Sequence, residues 1–167
     1  MTNIIKFFKS LFERILATVG YIFPFMDVTV YYSNQVCYRS NDIGLKLMYV
    51  RHFYPMLVIY EKYVYIIFGL MIGIFLVCSR NKLPYLTEFV RFNIMQAILL
   101  DIVCSCIGQI YAACPTIFKF SIFGTLFANA AFIGTIFYII YCIAIILLGR
   151  LPVVPIVSEA AKIHLKR

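Results

Sequence analysis

The sequence predicts an all-α integral membrane protein: four transmembrane helices behind an N-terminal amphipathic helix. Three observations lead there. Of 167 residues, 63% are hydrophobic and only 13% are charged, against about 25% charged in an ordinary soluble domain. Mean hydropathy is +0.94, too apolar for a soluble surface of this size and far too apolar for a disordered chain. Four apolar stretches, at roughly 20 residues per span, use about half the chain and leave little for a soluble domain. The formal charge of +8 does not point to nucleic acid, because nucleic-acid domains are polar as well as basic. In a multi-pass chain such an excess orients the protein in the bilayer.

Residues 1–14 carry apolar side chains at Ile4, Ile5, Phe8, Leu11 and Phe12, with Ile15 continuing the pattern. That is helical spacing with one apolar face. Lys6, Lys9, Glu13 and Arg14 lie between them. An interfacial helix on an anionic bilayer surface and a simple lead-in to the first span both fit, and the two are compatible.

The four-helix transmembrane domain is placed at 15–149. Its first span, 15–32, contains Pro24 and Asp27. It is the weakest of the four and is open to being kinked at Pro24 or re-entrant. The second, 56–78, has Glu61 and Lys62 near its start and Gly69 with Gly73 as a GxxxG strip. Glycines four apart let another helix approach closely. The third, 92–113, carries Asn93, Gln96 and Asp101, with a second small-residue pair at Cys104 and Gly108. The fourth, 122–148, has Asn129 as its one strongly polar residue, and Ala130 with Gly134 as a further small pair. The remainder, 150–167, is a basic tail.

Four spans put both termini on one side, and the basic residues tell which. Lys6, Lys9, Arg14, Arg80, Lys82, Arg91, Arg150, Lys162, Lys166 and Arg167 fall on the side of the termini; Arg39, Lys46, Arg51, Lys62 and Lys119 fall opposite. That bias puts both termini on the cytoplasm-like side.

The third span holds the candidate chemistry. Asp101, Ser105 and Gln109 are spaced by four and form one stripe, Arg91 falls toward the same side, and Asn93 with Gln96 forms a second polar patch. A carboxylate at mid-depth costs about 3 kcal/mol on insertion scales unless it is paired, protonated or wet. This face must therefore look at protein or a wet cavity, with Asp27 and the pair Glu61 and Lys62 as possible neighbours. Two readings stay open: a polar path for ions, protons or an extended polypeptide, and a set of hydrogen bonds that hold the bundle together. Glu61 and Lys62 also suit simple snorkelling at a span end. The tyrosines at 31–32 and at 60, 63 and 65 read as interfacial belt residues.

No catalytic motif, phosphate loop or metal-ligand cluster appears, so no enzyme activity, cofactor or metal is expected. His52 and His164 are isolated, and the six cysteines include no Cys-x-x-Cys pair. Four of them sit in or beside apolar runs as small hydrophobes. A bridge between Cys37 and Cys114 needs both loops on one side of the membrane.

The block 89–102 (FVRFNIMQAILLDI), preceded by Arg80 and Asn81, closely resembles the signature of the TIC-twenty family. That family is the twenty-kilodalton membrane subunit of the protein translocon at the chloroplast inner envelope, with relatives in cyanobacteria. Other segments agree: 21–27 (YIFPFMD), 68–75 (FGLMIGIF) and 154–161 (VPIVSEAA) look like the family's proline-bearing first span, Gly-bearing second span and tail. Glu159 stands where the family has Asp. The resemblance covers about 14–165. The loop 33–52 and the Cys-rich half of the third span depart from the pattern.

The resemblance implies four spans with both termini in the stroma, matching the charge count. It implies a part in importing precursors, with other translocon subunits, transiting precursor polypeptides and the lipid bilayer as partners. Arg91, Asn93, Gln96 and Asp101 lie in the matched block and are the candidates for intersubunit or pathway contacts, not catalysis. A small four-span ion or solute channel is the competing function. The residues before the first span do not read as a secretory signal or a transit peptide, as expected of either a mature form or a plastid gene. With 26 Ile, 10 Ala and no Trp, the composition suits A+T-rich coding, so a plastid-encoded algal form is expected.

Overall fold

The computed structural model describes residues 2–38, 42–79 and 87–152, and of residues 2–10 and 38 the backbone alone. The apolar face expected over residues 4–8, the link with Arg80 and Lys82, and the tail beyond Pro152 lie outside the described residues. All regular elements described are helical. Helix α1 (Thr2–Val19) and helix α2 (Ile22–Ser33) follow each other, and a π-helical turn, Asn34–Tyr38, prolongs α2. The break between α1 and α2 falls at Gly20 and Tyr21, not at Pro24. Pro24 therefore sits in the first turn of α2, where its missing N–H has no helical partner to lose. Leu11–Cys37 together make a 27-residue apolar helix, long enough to cross a membrane.

Helix α3 (Ile43–Met48) starts at Asp42, whose Oδ1 accepts from the Gly44 N–H at 2.8 Å. A π-helical turn, Tyr49–Phe53, leads into α4 (Tyr54–Lys62), and α5 (Val64–Ser79) follows after Tyr63. Helix α6 (Glu88–Ala113), the short α7 (Thr116–Phe120) and α8 (Ile122–Leu147) follow. Ser121 caps α8, its Oγ accepting from the Gly124 N–H at 3.1 Å. Among the described residues three helices are long and apolar enough to cross a membrane, and four spans result if the bent pair of Ile43–Lys62 with Val64–Ser79 counts as one.

That pair differs from the straight helix expected over 56–78. The axis turns by 75° at Tyr63, whose φ of −109° and ψ of 14° leave the helical region. No proline or glycine marks the place. The apolar run around residues 55–60 is apolar for another reason: Leu57 and Tyr60 are buried with Met26, Cys37 and Tyr49. They pack on protein at the end of α2. Helix α5, with no Asp, Glu, Lys or Arg, is the lipid-compatible part, about 24 Å long at 1.5 Å per residue.

The helices alternate in direction. Arg14 Nη1, near the start of the first span, donates to the Leu147 carbonyl at 2.7 Å, as a cation at a helix C-terminus should. Gln35, past α2, reaches the Lys119 carbonyl at 2.6 Å near the start of α8. The first span and α8 are thus antiparallel. Gly20 lies against Ala97 and Tyr31 against Gly108, so the first span and α6 run parallel. Arg91 touches Cys78, which makes α5 antiparallel to α6. The start of the first span and the end of α8 consequently meet at one end of the bundle.

Packing is reversed relative to a soluble protein. The interior holds Asp27, Thr29, Ser33, Arg91, Asn93, Gln96 and Asp101, while Phe123, Phe137, Ile140, Ile66 and Phe68 face outward. The apolar core proper runs from Ala17 and Tyr21 through Ala97, Leu100 and Cys104 to Cys142 and Ile146. No disulfide forms among the six cysteines, so Cys37 and Cys114 are not bridged.

Glycines show where helices touch. A Cβ added at Gly134 would meet nothing within 4 Å. Gly134→Ala is expected to be neutral or to stabilise by up to about 1 kcal/mol through helix propensity. Thermal unfolding in detergent checks this, and a loss of stability would show a contact the isolated chain lacks.

An intramembrane polar cleft as candidate functional site

Helix α6 supplies most of the site. Asp101 stands near the middle of its 26 residues and is 1% exposed. The first span brings Asp27 to the same place. Its Oδ1 accepts from the Tyr60 hydroxyl at 2.7 Å, and its Oδ2 accepts from the Ser105 hydroxyl. Ser105 is one turn from Asp101 on the same stripe. The helical spacing of Asp101, Ser105 and Gln109 thus does gather a polar face, and Asp27 is its neighbour. Asp101 Oδ1 is buried without a hydrogen-bond partner among the described residues.

Tyr60 is the residue the sequence reading missed. It looked like part of an interfacial belt with Tyr63 and Tyr65; instead it is buried and donates inward. Glu61, one residue on, is exposed on α4 and does not join Asp27 or Asp101. A period check on α4 holds the missed signal, because Leu57 and Tyr60 are three apart and share a face.

The other α6 candidates do separate work. Arg91 donates from Nε at 3.1 Å and Nη2 at 2.6 Å to the Cys78 carbonyl, in the last turn of α5. Asn93 Nδ2 donates to the Phe89 carbonyl at 2.7 Å within its own helix. Gln96 Nε2 lies 3.9 Å from Cys142 Sγ on α8. These three are interior, with Asn93 about two turns and Gln96 about one and a half turns from Asp101. Arg91 and Gln96 join helices, Asn93 bonds within α6, and none lines the cleft. Gly69 and Gly73 are exposed, and an added Cβ would meet nothing within 4 Å at either. By helical geometry they lie on the side of α5 opposite Met71 and Cys78, the residues buried on α6.

Between α2, α4, α5 and α6 lie two adjoining cavities of about 310 and 320 Å³. Asp27, Tyr31 and Tyr60 line one, and Phe75, Ile98 and Leu99 the other; Asp101, Ser105, Gln109, Phe68 and Met71 line both. Phe68, Ile72, Ile102 and Gln109 on the walls are exposed, so the cleft opens sideways between α5 and α6. No group of three or more His, Cys, Asp or Glu that could hold a metal occurs among the described residues.

Apolar outside, polar inside and cleft at mid-depth, the molecule belongs to the class of multi-pass helical membrane proteins. A family model described as chloroplast import apparatus Tic20-like matches residues 9–161, and the chain belongs to that family. It is 29% identical to a Tic20 family protein Ycf60 of Pyropia yezoensis over 91% of this chain and 75% of the relative. It is 28% identical to the Porphyra purpurea protein of the same name over 99% and 74%. A Tic20 family protein of a Synechocystis species is 29% identical over 89% and 90%. Relatives in red algae and a cyanobacterium agree with the expectation of a plastid-encoded algal form. Membership connects the chain with plastid protein import.

Proposed function

We propose that this chain is a non-enzymatic subunit of the protein-import translocon at the plastid inner envelope membrane, with both termini in the stroma. It acts there through contacts with other membrane subunits and with precursor polypeptides in transit. The observation that carries the reading is the family match over 9–161, which contains the whole interior polar set. Arg91, Asn93 and Gln96 are engaged within the chain, which supports a scaffold more than a pore through a single copy. The cleft at Asp27 and Asp101 remains as the contact site.

The test is depletion in the native plastid. Import of a radiolabelled precursor is expected to fall several-fold, and a tagged copy is expected to co-purify with import components. Unchanged import together with no co-purification would refute the assignment. The competing reading, a small ion or solute channel, draws on Asp101 at mid-depth with an unpartnered oxygen. Liposome flux that is ion-selective and abolished by Asp101→Leu belongs to that reading alone.

A further inference from the structure

We propose that the cleft between α5 and α6 seats one spanning helix of a different chain, which inserts a Lys or Arg side chain against Asp101 and Asp27. The proposal rests on the reading of this chain as a subunit of a membrane complex.

The charge balance of the cleft argues for a cation. Two carboxylates line it, and the other polar side chains on its walls, Tyr31, Tyr60, Tyr65, Ser105 and Gln109, bring no cation. Asp27 is held by two hydroxyl donors. Asp101 lacks even that at Oδ1, although it is buried in the middle of a spanning helix. A carboxylate so placed must be paired, protonated or wet, and a positive or hydrogen-bond-donating partner supplies the pairing. Three described cations, Arg91, Arg14 and Lys62, are committed elsewhere. Arg91 holds the Cys78 carbonyl, Arg14 holds the Leu147 carbonyl, and Lys62 lies 5.6 Å over the ring of Tyr63 on α4.

The rim argues for a helix rather than a hydrated ion. Phe68, Ile72 and Phe75 on one wall face Ile98, Leu99 and Ile102 on the other. An apolar rim around a buried polar floor suits a helix that is apolar along its length with one polar residue at mid-depth. A second copy of this chain does not supply that residue. Helices α2, α5 and α8 contain no Lys or Arg. Arg14 stands near the start of the first span, Arg91 in the first turn of α6, and Lys62 at the end of α4 lies over the ring of Tyr63, so none is a free cation at the middle of a straight span. The occupant is therefore a different polypeptide.

The experiment uses the full chain reconstituted in phosphatidylcholine vesicles. The probe is a designed Leu/Ala spanning peptide with one central Lys and a Cys one turn away. Cys106 is exposed on the cleft wall, so disulfide trapping to it reports occupancy. The Lys peptide should be trapped about tenfold more than matched peptides with Leu or Glu at the centre, if an ion pair in a low-dielectric site selects the partner. Asp101→Asn, which preserves shape, should reduce trapping to the Leu level. Ile72→Trp, which fills the cleft mouth, should do the same. Gly73→Leu, on the other side of α5, should leave trapping unchanged, and Cys106→Ser should abolish it.

Equal trapping of the Lys and Leu peptides, or trapping indifferent to both Asp101→Asn and Ile72→Trp, overturns the proposal. In native membranes, a photoreactive residue at position 102 should mark a helix that carries Lys or Arg. Adducts with lipid alone would also overturn it. Neither assay depends on import, so failure here and failure of the translocon reading are separate results.

Discussion

Gly108→Ala should destabilise the bundle by about 2–3 kcal/mol, the cost of overpacking a tight contact. The sign is the informative part. Alanine is the better helix former by up to about 1 kcal/mol, so an unconstrained glycine in a helix gains from the change. At Gly108 the added Cβ would overlap Cδ2 and Cγ of the Tyr31 ring and stand 2.8 Å from its Cε2. Tyr31 is held by its own packing near Val28, Tyr32, Tyr111 and Ala128, and its ring contacts Tyr32 at 6.5 Å between centroids. Either the ring turns away or the first span separates from α6. Both lose contacts at the longest helix–helix interface of the molecule, where Gly20 and Ala97 also meet closely. Unfolding of the purified variant in detergent measures the loss. Tyr31→Ala in the same chain should restore most of it, a coupling a double-mutant cycle isolates. A Gly108→Ala protein as stable as the parent would mean that the first span and α6 do not approach here.

The glycines also show what a sequence can and cannot say. Spacing alone put Gly69 with Gly73, Cys104 with Gly108, and Ala130 with Gly134 on the same footing. Of the glycines in these pairs, Gly108 alone is pressed against another described helix. The small-residue pattern records that a close approach is affordable, not which helix makes it. The spans were legible because bilayer thickness imposes length and apolarity. The 75° turn at Tyr63 was not, since burial against protein and against lipid leave the same apolar letters. The polar stripe of α6 was legible from its period of four. Its link to Asp27 through Ser105 joins residues far apart in sequence, where no local pattern reaches. Tyr60 was missed because tyrosine suits both an interface belt and an interior hydroxyl donor.

Arg91 carries the second large effect. It sits in the first turn of α6, buried, and gives two donors to one carbonyl in the last turn of α5. That carbonyl belongs to the set a helix end leaves without internal partners. A guanidinium there provides charge-assisted bonds and a favourable charge at a helix C-terminus. Helix α5 buries only Met71 and Cys78, so it depends on this one polar clamp more than the other spans do. Arg91→Met keeps length and apolar packing but removes both donors. The expected cost is about 2 kcal/mol, within the range for hydrogen bonds to a charged group. Arg91→Lys should recover less than half of it, because an ammonium cannot reproduce the paired Nε and Nη2 geometry. The loss should be local: a change of that size corresponds to roughly 30-fold faster amide exchange across Val64–Ser79 if α5 opens alone. Exchange in Ile122–Leu147 should stay as it was. A pathway role predicts the reverse pattern, with import reduced and α5 exchange unchanged. Arg91 in the matched block would then act on the passing chain, and the clamp on Cys78 would be incidental.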